Sequence, residues 1–521
     1  MSTQAHPLSE VPILGSSQSA VILALAISVV ITLAIRLSPS SSKGGVYDLG
    51  GIPILAAWPF FTKRYDFLRN HFASGKRYFQ FHVLQHRVVA ISGEEARKMF
   101  FNEKGLGLDE GYRILMGGAP NIDDISVQPK EGRVKDAELV KRMAVLFRKD
   151  RVVEGTDRTD RRMMRLTFLH PVLPVLFDDV HRRMNDWGNE GTINPFKELY
   201  DLVFQMTVRM GACRELADDK DAIERLTQHY WNIEKNATPT VLLLPWLPSP
   251  AKKTQEKATR ELFTMLYNYV YLRRNAPTPS TDPIDLLVAY GDSNEAIVSV
   301  VMSIIFAGVI NTGAGSCWIL LHLASHPQWK DKVINELKAL VANHTNGTSK
   351  EPLHKQLAAI PLHAWEEELP ALELVIRETV RLTMSMTSLR RNLGKDIPLA
   401  DTIIKKGDFL AYCNGDAHMN PNIYTDPEKF DPERYSEGRE EDRKETFAYL
   451  AWGVGRHPCV GVRIAKMEMK LLTALILLGY EYELVDGAGN RLEKVPLQDR
   501  NDIQQARPLS PCYLKFKRVM E

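Results

Sequence analysis

Cysteine is scarce in this chain: five in 521 residues, at Cys213, Cys317, Cys413, Cys459 and Cys512, far apart and odd in number. No two stand at zinc-ligand spacing, so neither a disulfide framework nor a zinc module is encoded, and a reducing compartment is the setting that fits. An excess of one charge sign is also missing. The 66 Lys and Arg against 64 Asp and Glu leave a formal charge of +2, which excludes the basic field of a generic nucleic-acid binder; docking to an acidic partner would need a local patch. With 44% hydrophobic and 25% charged residues, the composition is that of a globular chain with a large core. Length alone allows about three domains at ~150 residues each. No internal repeat and no convincing interdomain linker is present, which argues for one.

Long apolar runs are few. One, residues 20–35, is broken only by Ser28 and Thr32, and no charge occurs between Glu10 and Arg36. At 1.5 Å per residue it covers roughly 24 Å, close to a thin bilayer core. A cleaved signal peptide would want a basic start, and residues 1–19 contain no Lys or Arg, whereas Arg36 and Lys43 follow the run. The positive-inside rule then predicts an uncleaved single-span anchor with the bulk of the chain in the cytosol. On that topology the sequons at Asn236, Asn343 and Asn346 are expected to be unused.

Residues 38–45 (SPSSSKGG) read as a linker. Two β-branched and aromatic runs in 78–92 predict a hairpin. Beyond about residue 94 helical periodicity dominates, as in 138–150 and 171–188, with loops by composition at 276–283 and 343–352. Strand-like runs return at 395–413 and 512–516. The fold class predicted is mainly α with small β-sheets. A second apolar stretch, from Asn294 to about Ser325, opens with an Asp292-x-x-Glu295 capping box. At ~48 Å it is too long for a simple span, and its middle (Gly308 to Gly313) carries small and polar residues. It is expected to be the central helix of a large core.

The decisive segment is 447–461, FAYLAWGVGRHPCVG. One cysteine sits in a glycine-punctuated loop. Gly453 and Gly455 allow a tight turn and close approach to a flat ligand, and Gly461 lets a helix start beside it. The amides and dipole at that helix start favour a thiolate, which is what a haem iron takes as an axial ligand. This segment resembles the haem-binding loop of the cytochrome P450 family, Phe-x-x-Gly-x-[Arg/His]-x-Cys-x-Gly, with Trp452, Gly453, Gly455, His457, Cys459 and Gly461 at its positions. Trp452 replaces the usual Phe and keeps an aromatic there.

Two further motifs stand at the family's distances. Glu378-x-x-Arg381 puts a carboxylate and a guanidinium on one helix face, and Phe430-Asp431-Pro432-Glu433-Arg434 follows downstream. The resemblance implies an interlocked network of Glu378, Arg381 and Arg434 that holds the cysteine loop. It also implies that Arg390 (rather than Arg391) and His457 contact the haem propionates. The turn 403–408 matches the family and is expected to be structural.

What is missing from the family pattern is equally informative. Aligned on Ala307-Gly308, the central helix has Ile310 where the family has an acid, then Asn311 for the threonine and Thr312 next. Such an Asn-Thr pair is similar to the subgroup containing the bile-acid sterol hydroxylases and prostacyclin synthase. Asn311 can still orient a water and Thr312 can still donate a hydrogen bond, so both are the catalytic candidates, with Gly308 against the cofactor. The family's Trp-x-x-x-Arg has no counterpart between 130 and 165, where Lys141, Arg142 and Arg148 are available, and the Pro-rich hinge after the anchor is absent. The resemblance is strong from about 290 to 517 and compositional before that.

The resemblance implies a cytochrome P450 fold with a single N-terminal transmembrane helix: 1–19 a short lumenal N-terminus, 20–37 the anchor, 38–45 the linker, and 46–521 a haem-thiolate catalytic domain facing the cytosol at the endoplasmic reticulum membrane. The activity implied is a monooxygenase that inserts one oxygen atom from O2 into a lipophilic small molecule such as a terpenoid, a sterol or another secondary metabolite. Haem b is the cofactor and electrons come from an NADPH-dependent cytochrome P450 reductase, for which Arg456, Arg463, Lys466 and Lys470 form a candidate basic patch. The alternative is a haem-thiolate isomerase or dehydratase that rearranges a peroxide without a reductase.

Overall fold

The computed structural model describes Ser40–Ser41, residues 45–115, 141–144, 146 and 169–520, apart from 245, 279, 346–349, 385, 400–401 and 503–504. The expected anchor at 20–37 and most of the stretch 138–165 lie outside the described residues.

The strands, in chain order, are β1 Ser40–Ser41, β2 Tyr47–Asp48, β3 Tyr78–Val83, β4 His86–Ile91, β5 Leu106–Gly107, β6 Glu190–Ile193, β7 Thr387–Asn392, β8 Ile397–Leu399, β9 Thr402–Ile404, β10 Phe409–Cys413, β11 Tyr480–Val485 and β12 Tyr513–Arg518. They form a seven-stranded sheet in the order β1-β2-β3-β4-β10-β7-β5, a three-stranded sheet β11-β12-β6 and a two-stranded ribbon β8-β9. The predicted hairpin is β3–β4, paired antiparallel from Tyr78 with Ile91 to Val83 with His86. The linker at 38–45 contributes the edge strand β1, which pairs with β2. In the large sheet β10 joins β4 in parallel and β7 antiparallel, setting Arg390 opposite Leu410.

Helices make up most of the rest. Those that position the site are α1 Pro53–Thr62, α2 Glu94–Asn102, α3 Leu108–Leu115, α4 Pro195–Gly211, α5 Lys220–Lys235, α6 Pro250–Arg274, α7 Asn294–Ser325, α8 Pro370–Thr383 and α9 Val462–Gly479. The central helix α7 has the bounds read from the sequence. Its cap does not: the Ser293 Oγ accepts from the Ala296 amide at 3.2 Å. Asp292 is drawn off instead by Arg142, whose Nη2 and Nε lie 2.8 and 3.1 Å from Oδ1.

Among the described residues α7 is the one helix long and apolar enough to cross a membrane. Here its apolar faces are spent on protein. Ile297, Val301, Ile305, Ile319 and Leu321 are all fully buried among α4, α6, α8 and α9. That is how a helix apolar on every side is accommodated away from lipid. Its small residues permit close crossings: a Cβ on Gly313 would stand 2.7 Å from the Tyr200 ring of α4. A second buried cluster joins Phe100 and Phe101 of α2, Tyr412 of β10 and Ala448 and Leu450 of the cysteine loop. The loop is therefore braced by the sheet on one side and by α9 on the other.

Candidate active site

The loop of 447–461 ends where Gly461 caps the start of α9. Two of its glycines are conformationally required. Gly453 (φ 67°) would put a Cβ 2.5 Å from the His457 carbonyl, and Gly455 (φ 64°) would drive one into the Phe101 carbonyl of α2. Positive φ and this crowding both disfavour any side chain. The loop closes on itself through Cys459 N–H to the Trp452 carbonyl at 2.7 Å, and is tied to α2 by Arg456 N–H to the Phe101 carbonyl at 3.0 Å. Trp452 packs half-buried against the main core.

Of the five cysteines, Cys213, Cys317, Cys413 and Cys512 are buried and Cys459 is exposed. Surrounding protein raises the Cys459 thiol pKa by desolvation, and a hydrogen bond from the Gly461 amide draws it partly back. The amide expected at the helix start is present, but in the bare protein it is outweighed. A coordinated cation deprotonates a thiol outright, so a haem iron fits this sulfur. A Cβ on Gly461 would meet nothing within 4 Å, leaving room beside it. Among the described residues no group of three His, Cys, Asp or Glu is placed to hold a bare metal ion. A porphyrin would bring its own ring nitrogens to the iron and take one thiolate from the protein, which suits a lone cysteine.

The three network residues come together at zero exposure. Arg381 Nε and Nη2 donate to Glu378 Oε2 and Oε1 at 2.8 and 2.7 Å, and Arg434 Nε donates to Oε1 at 2.9 Å. Sequence reasoning missed the groups that complete it. The Tyr435 hydroxyl donates to Glu378 Oε2 at 2.9 Å, and Arg434 Nη1 reaches both Glu441 Oε2 at 2.9 Å and the Thr425 carbonyl. The Asp426 and Lys429 carbonyls take Arg434 Nη2 at 2.8 and 2.9 Å. From Arg381 a path runs into the cysteine loop: Nη1 donates to the His418 carbonyl at 2.6 Å, and His418 Nε2 accepts the Leu450 amide at 2.9 Å. Burial, then the Arg381 charge, lower the His418 pKa to about 3, which keeps that nitrogen an acceptor. No local signal marks Tyr435 or His418 as members, because their partners are remote in sequence, whereas Glu441 lies only seven residues from Arg434.

Arg390 on β7 is 3% exposed, with its guanidinium carbon 5.1 Å above the Phe100 ring and Nη1 2.7 Å from the Leu389 carbonyl. Its charge reaches His457, whose pKa is lowered by burial, by Arg390 and by Arg456. Arg390 is thus within electrostatic reach of His457. Arg391 points elsewhere, over Phe409 at 5.2 Å. Tyr112 of α3, with a pKa raised by burial and lowered by Arg390 and Arg64, joins this group unforeseen. Arg142 is committed to Asp292, and Arg148 lies outside the described residues.

On α7 the structure separates the two catalytic candidates. Ala307 and Asn311 are exposed, one turn apart, on a helix otherwise almost wholly buried. The Asn311 Nδ2 donates to the Ala307 carbonyl at 3.2 Å. Thr312 is 2% exposed, because one further residue turns the side chain by about 100°, off the exposed stripe and into the packed part of the helix. There its hydroxyl lies beside Glu468 of α9. Gly308 also turns from the exposed stripe toward α4, where its Cβ position is 3.0 Å from Thr207 Cγ2.

The basic patch is largely neutralised. Arg463 pairs with Glu366, Lys466 with Glu373, and Lys470 with the Trp365 carbonyl at 2.9 Å and Glu373 at 3.4 Å. Arg456 alone of the four is exposed. Acidic residues more than ninety positions upstream in the chain do the pairing, which a local charge count does not reveal.

Comparison with known proteins places this geometry. The sequence model of the cytochrome P450 family matches residues 154–499, reaching well upstream of the motifs legible from about 290. The chain is 30% identical to cytochrome P450 monooxygenase nsrP of Aspergillus novofumigatus over 79% of its own length and 77% of that protein's. It is 28% identical to cytochrome P450 monooxygenase AacuE of Aspergillus aculeatus over 90% and 91% of the two chains. A sterol 14alpha-demethylase of Mycolicibacterium vanbaalenii shares 24% over 83% and 89%. The fold is that of a retinoic acid-bound cyanobacterial CYP120A1, with a TM-score of 0.68 at 19% identity, covering 90% of this chain and 98% of that one. The fungal relatives are named monooxygenases, which speaks against the isomerase alternative. With the family model spanning more than half of its length, this chain belongs to the cytochrome P450 family and is a cytochrome P450 monooxygenase.

Proposed function

We propose that this enzyme binds haem b through Cys459 and oxidises a lipophilic small molecule, a terpenoid, sterol or other secondary metabolite, with electrons from an NADPH-dependent reductase. The observation that carries the reading is the single exposed cysteine, held in a doubly glycine-kinked loop with an amide donated to its sulfur. When bound, the haem supplies oxygen activation, and a thiolate ligand favours O–O cleavage. The chain's own part is to hold, orient and exclude. Arg390 and His457 offer donors to the propionates, and Glu378, Arg381 and Arg434 keep the loop in register through His418 and Leu450. Asn311 is the polar group on the exposed stripe of α7. Its bond to Ala307 orients the amide, and the remaining donor and acceptor can hold water or substrate. Trp452, Gly453 and Gly461 shape the proximal side, and Gly308 sets how closely α7 approaches α4.

A lipophilic substrate is supported by relatives named for sterol demethylation. Membrane attachment is supported by more than the run at 20–37. Ile52, Leu55 and Trp58 at α1 and Trp246 and Leu247 after the short helix Pro239–Leu243 are all exposed, and Leu243 packs in the same cluster as Ala57 and Phe60 of α1. Five large apolar side chains on adjoining segments form a face that suits the headgroup boundary of a bilayer, here that of the endoplasmic reticulum with the catalytic domain (46–521) in the cytosol. Arg456 is the residue of the expected patch left to meet an acidic reductase.

The test is the carbon monoxide spectrum of the reduced holoprotein. A thiolate signature is expected, and Cys459→Ala abolishes it; its survival in that variant would show that another residue is the ligand. With a reductase added, NADPH and O2 should then yield oxidised product from a lipophilic library. Product formed from a peroxide alone, and never from O2 plus NADPH, overturns the reductase-driven reading.

A further inference from the structure

The basic patch beside the cysteine loop is neutralised by two carboxylates, and both of them are open to water. We propose that Glu366 and Glu373 are internal competitors for the acidic partner of this enzyme, so that docking exchanges them for carboxylates of the partner on Arg463 and Lys466. This rests on the reading that an acidic reductase supplies the electrons.

The pairs are of a kind that can exchange. Arg463 and Lys466 of α9 are held by Glu366, in the short helix Leu362–Glu367, and by Glu373 of α8, and all four side chains are 22–33% exposed. An ion pair this open contributes little to stability, because solvent screens it and holding two long side chains together costs entropy. Little therefore opposes its replacement by an equivalent pair across an interface. Lys470 differs. Its side chain is 5% exposed, with its ammonium fixed on the Trp365 carbonyl at 2.9 Å and 3.4 Å from Glu373. It stays in place and lends only its charge. The brace further along α8 is the opposite case, since Glu378 and Arg381 have no exposure at all.

The patch adjoins the loop that carries Cys459. Arg456 of that loop is exposed and makes no ion pair among the described residues. Lys466 Nζ lies 5.9 Å from the centroid of the Trp452 ring, and the Trp452 carbonyl takes the Cys459 amide at 2.7 Å. The internal acids also make the face selective. A lone carboxylate gains nothing that Glu373 does not already provide, whereas a surface with several carboxylates meets Arg456, Arg463 and Lys466 together and outcompetes both. The two competitors are unequal. Glu373 offsets Lys466 and Lys470, and Glu366 offsets Arg463 alone. Glu367 is the internal control, being exposed and without an ion pair among the described residues. Neutralising it changes the net charge as much as neutralising Glu366 does, but frees no cation.

The test is the binding of the purified holoprotein to an immobilised NADPH–cytochrome P450 reductase, at low and at raised ionic strength. Glu373→Gln should bind several-fold tighter than wild type, through faster association and with a steeper loss in salt. Glu366→Gln should move the same way by less, and Glu367→Gln should stay near wild type. Adding Lys466→Gln to Glu373→Gln should remove most of the gain. Equal affinity of wild type and Glu373→Gln overturns the proposal. So does a Glu367→Gln effect equal to that of Glu366→Gln, because net charge alone would then be acting. Should Glu373→Gln not fold, Glu366→Gln and Lys466→Gln carry the test, and unchanged affinity in both overturns it. Soluble poly-glutamate, used in parallel, separates this from the reductase reading. Poly-glutamate binding in the expected order without any reductase binding supports the exchange and sinks the reductase as partner, and reductase binding at one affinity throughout does the reverse.

Discussion

Two buried glutamates of this molecule, Glu378 and Glu468, are treated oppositely. Glu378 accepts from the Arg381 fork, the Arg434 Nε, a tyrosine hydroxyl and the Asp431 amide. Glu468 has two threonine hydroxyls nearby and an oxygen without a partner. Burial alone therefore says little about a carboxyl's role. The first is saturated with charge-assisted bonds in fixed geometry, as suits a brace. The second is left with spare hydrogen-bonding capacity and no counter-charge, which favours its neutral form.

The largest effect expected from testing this contrast is at the brace. Glu378→Gln leaves two buried guanidiniums facing an amide, and breaking a buried pair in this way costs about 3–5 kcal/mol. Denaturant unfolding should register that loss together with reduced haem retention. A change within about 1 kcal/mol would be ordinary for a surface site and would break the comparison.

Next is Glu441, which joins Arg434 to Arg439 at 2.9 and 2.8 Å. Burial pushes its pKa up, but Arg439, Arg434 and the Thr425 amide outweigh this and hold it at about 2, against an ordinary 4.5. A depressed folded pKa means that its contribution is present above about 4.5 and is lost as pH falls through about 2. Glu441→Gln should thus be less stable than wild type near neutral pH by about 1–3 kcal/mol, and the gap should close on acidification over that window. A gap independent of pH would show that the carboxylate charge is not what matters.

Glu468 should show the reverse sign. Its folded pKa is raised, so the wild type loses stability as pH climbs above the ordinary 4.5 and the unfolded chain ionises. Glu468→Gln removes that penalty, and its stability relative to wild type should improve from pH 4.5 upward in unfolding measurements. A decline over the same range would mean that the carboxyl is ionised in the fold. The smallest change is expected for Thr207→Val, below about 1 kcal/mol, because its hydroxyl completes no hydrogen bond among the described residues. A larger loss would point to a bond that the static arrangement does not reveal.

How much of this was legible beforehand divides along the same line. The bounds of α7, the β3–β4 hairpin and the glycine-kinked cysteine loop could be read ahead, because each is a local pattern, whereas the meeting of Glu378, Arg381 and Arg434 was implied only by the family resemblance. The cap of α7 slipped by one residue, since Asp292 had a distant suitor in Arg142. Thr312 and Asn311 stand side by side in the sequence, yet a single helical step of about 100° buries the first and leaves the second exposed. The basic patch at Arg463, Lys466 and Lys470 vanished into Glu366, Glu373 and a carbonyl. Glu468 drew no notice, because a glutamate in a helix beside lysines looks like a surface charge until its neighbours are known.

The amino-acid order by itself determined the family, the cysteine loop and the long apolar helix, because backbone conformation and periodicity answer to residues a few places apart. Only the tertiary structure decided which polar groups face the site, which charges cancel, and which carboxyl is braced or left unpaired. Those depend on helix crossings between segments far apart in the chain, where close approach of α4, α7 and α9 replaces water with protein and sets the energy of each buried proton and charge.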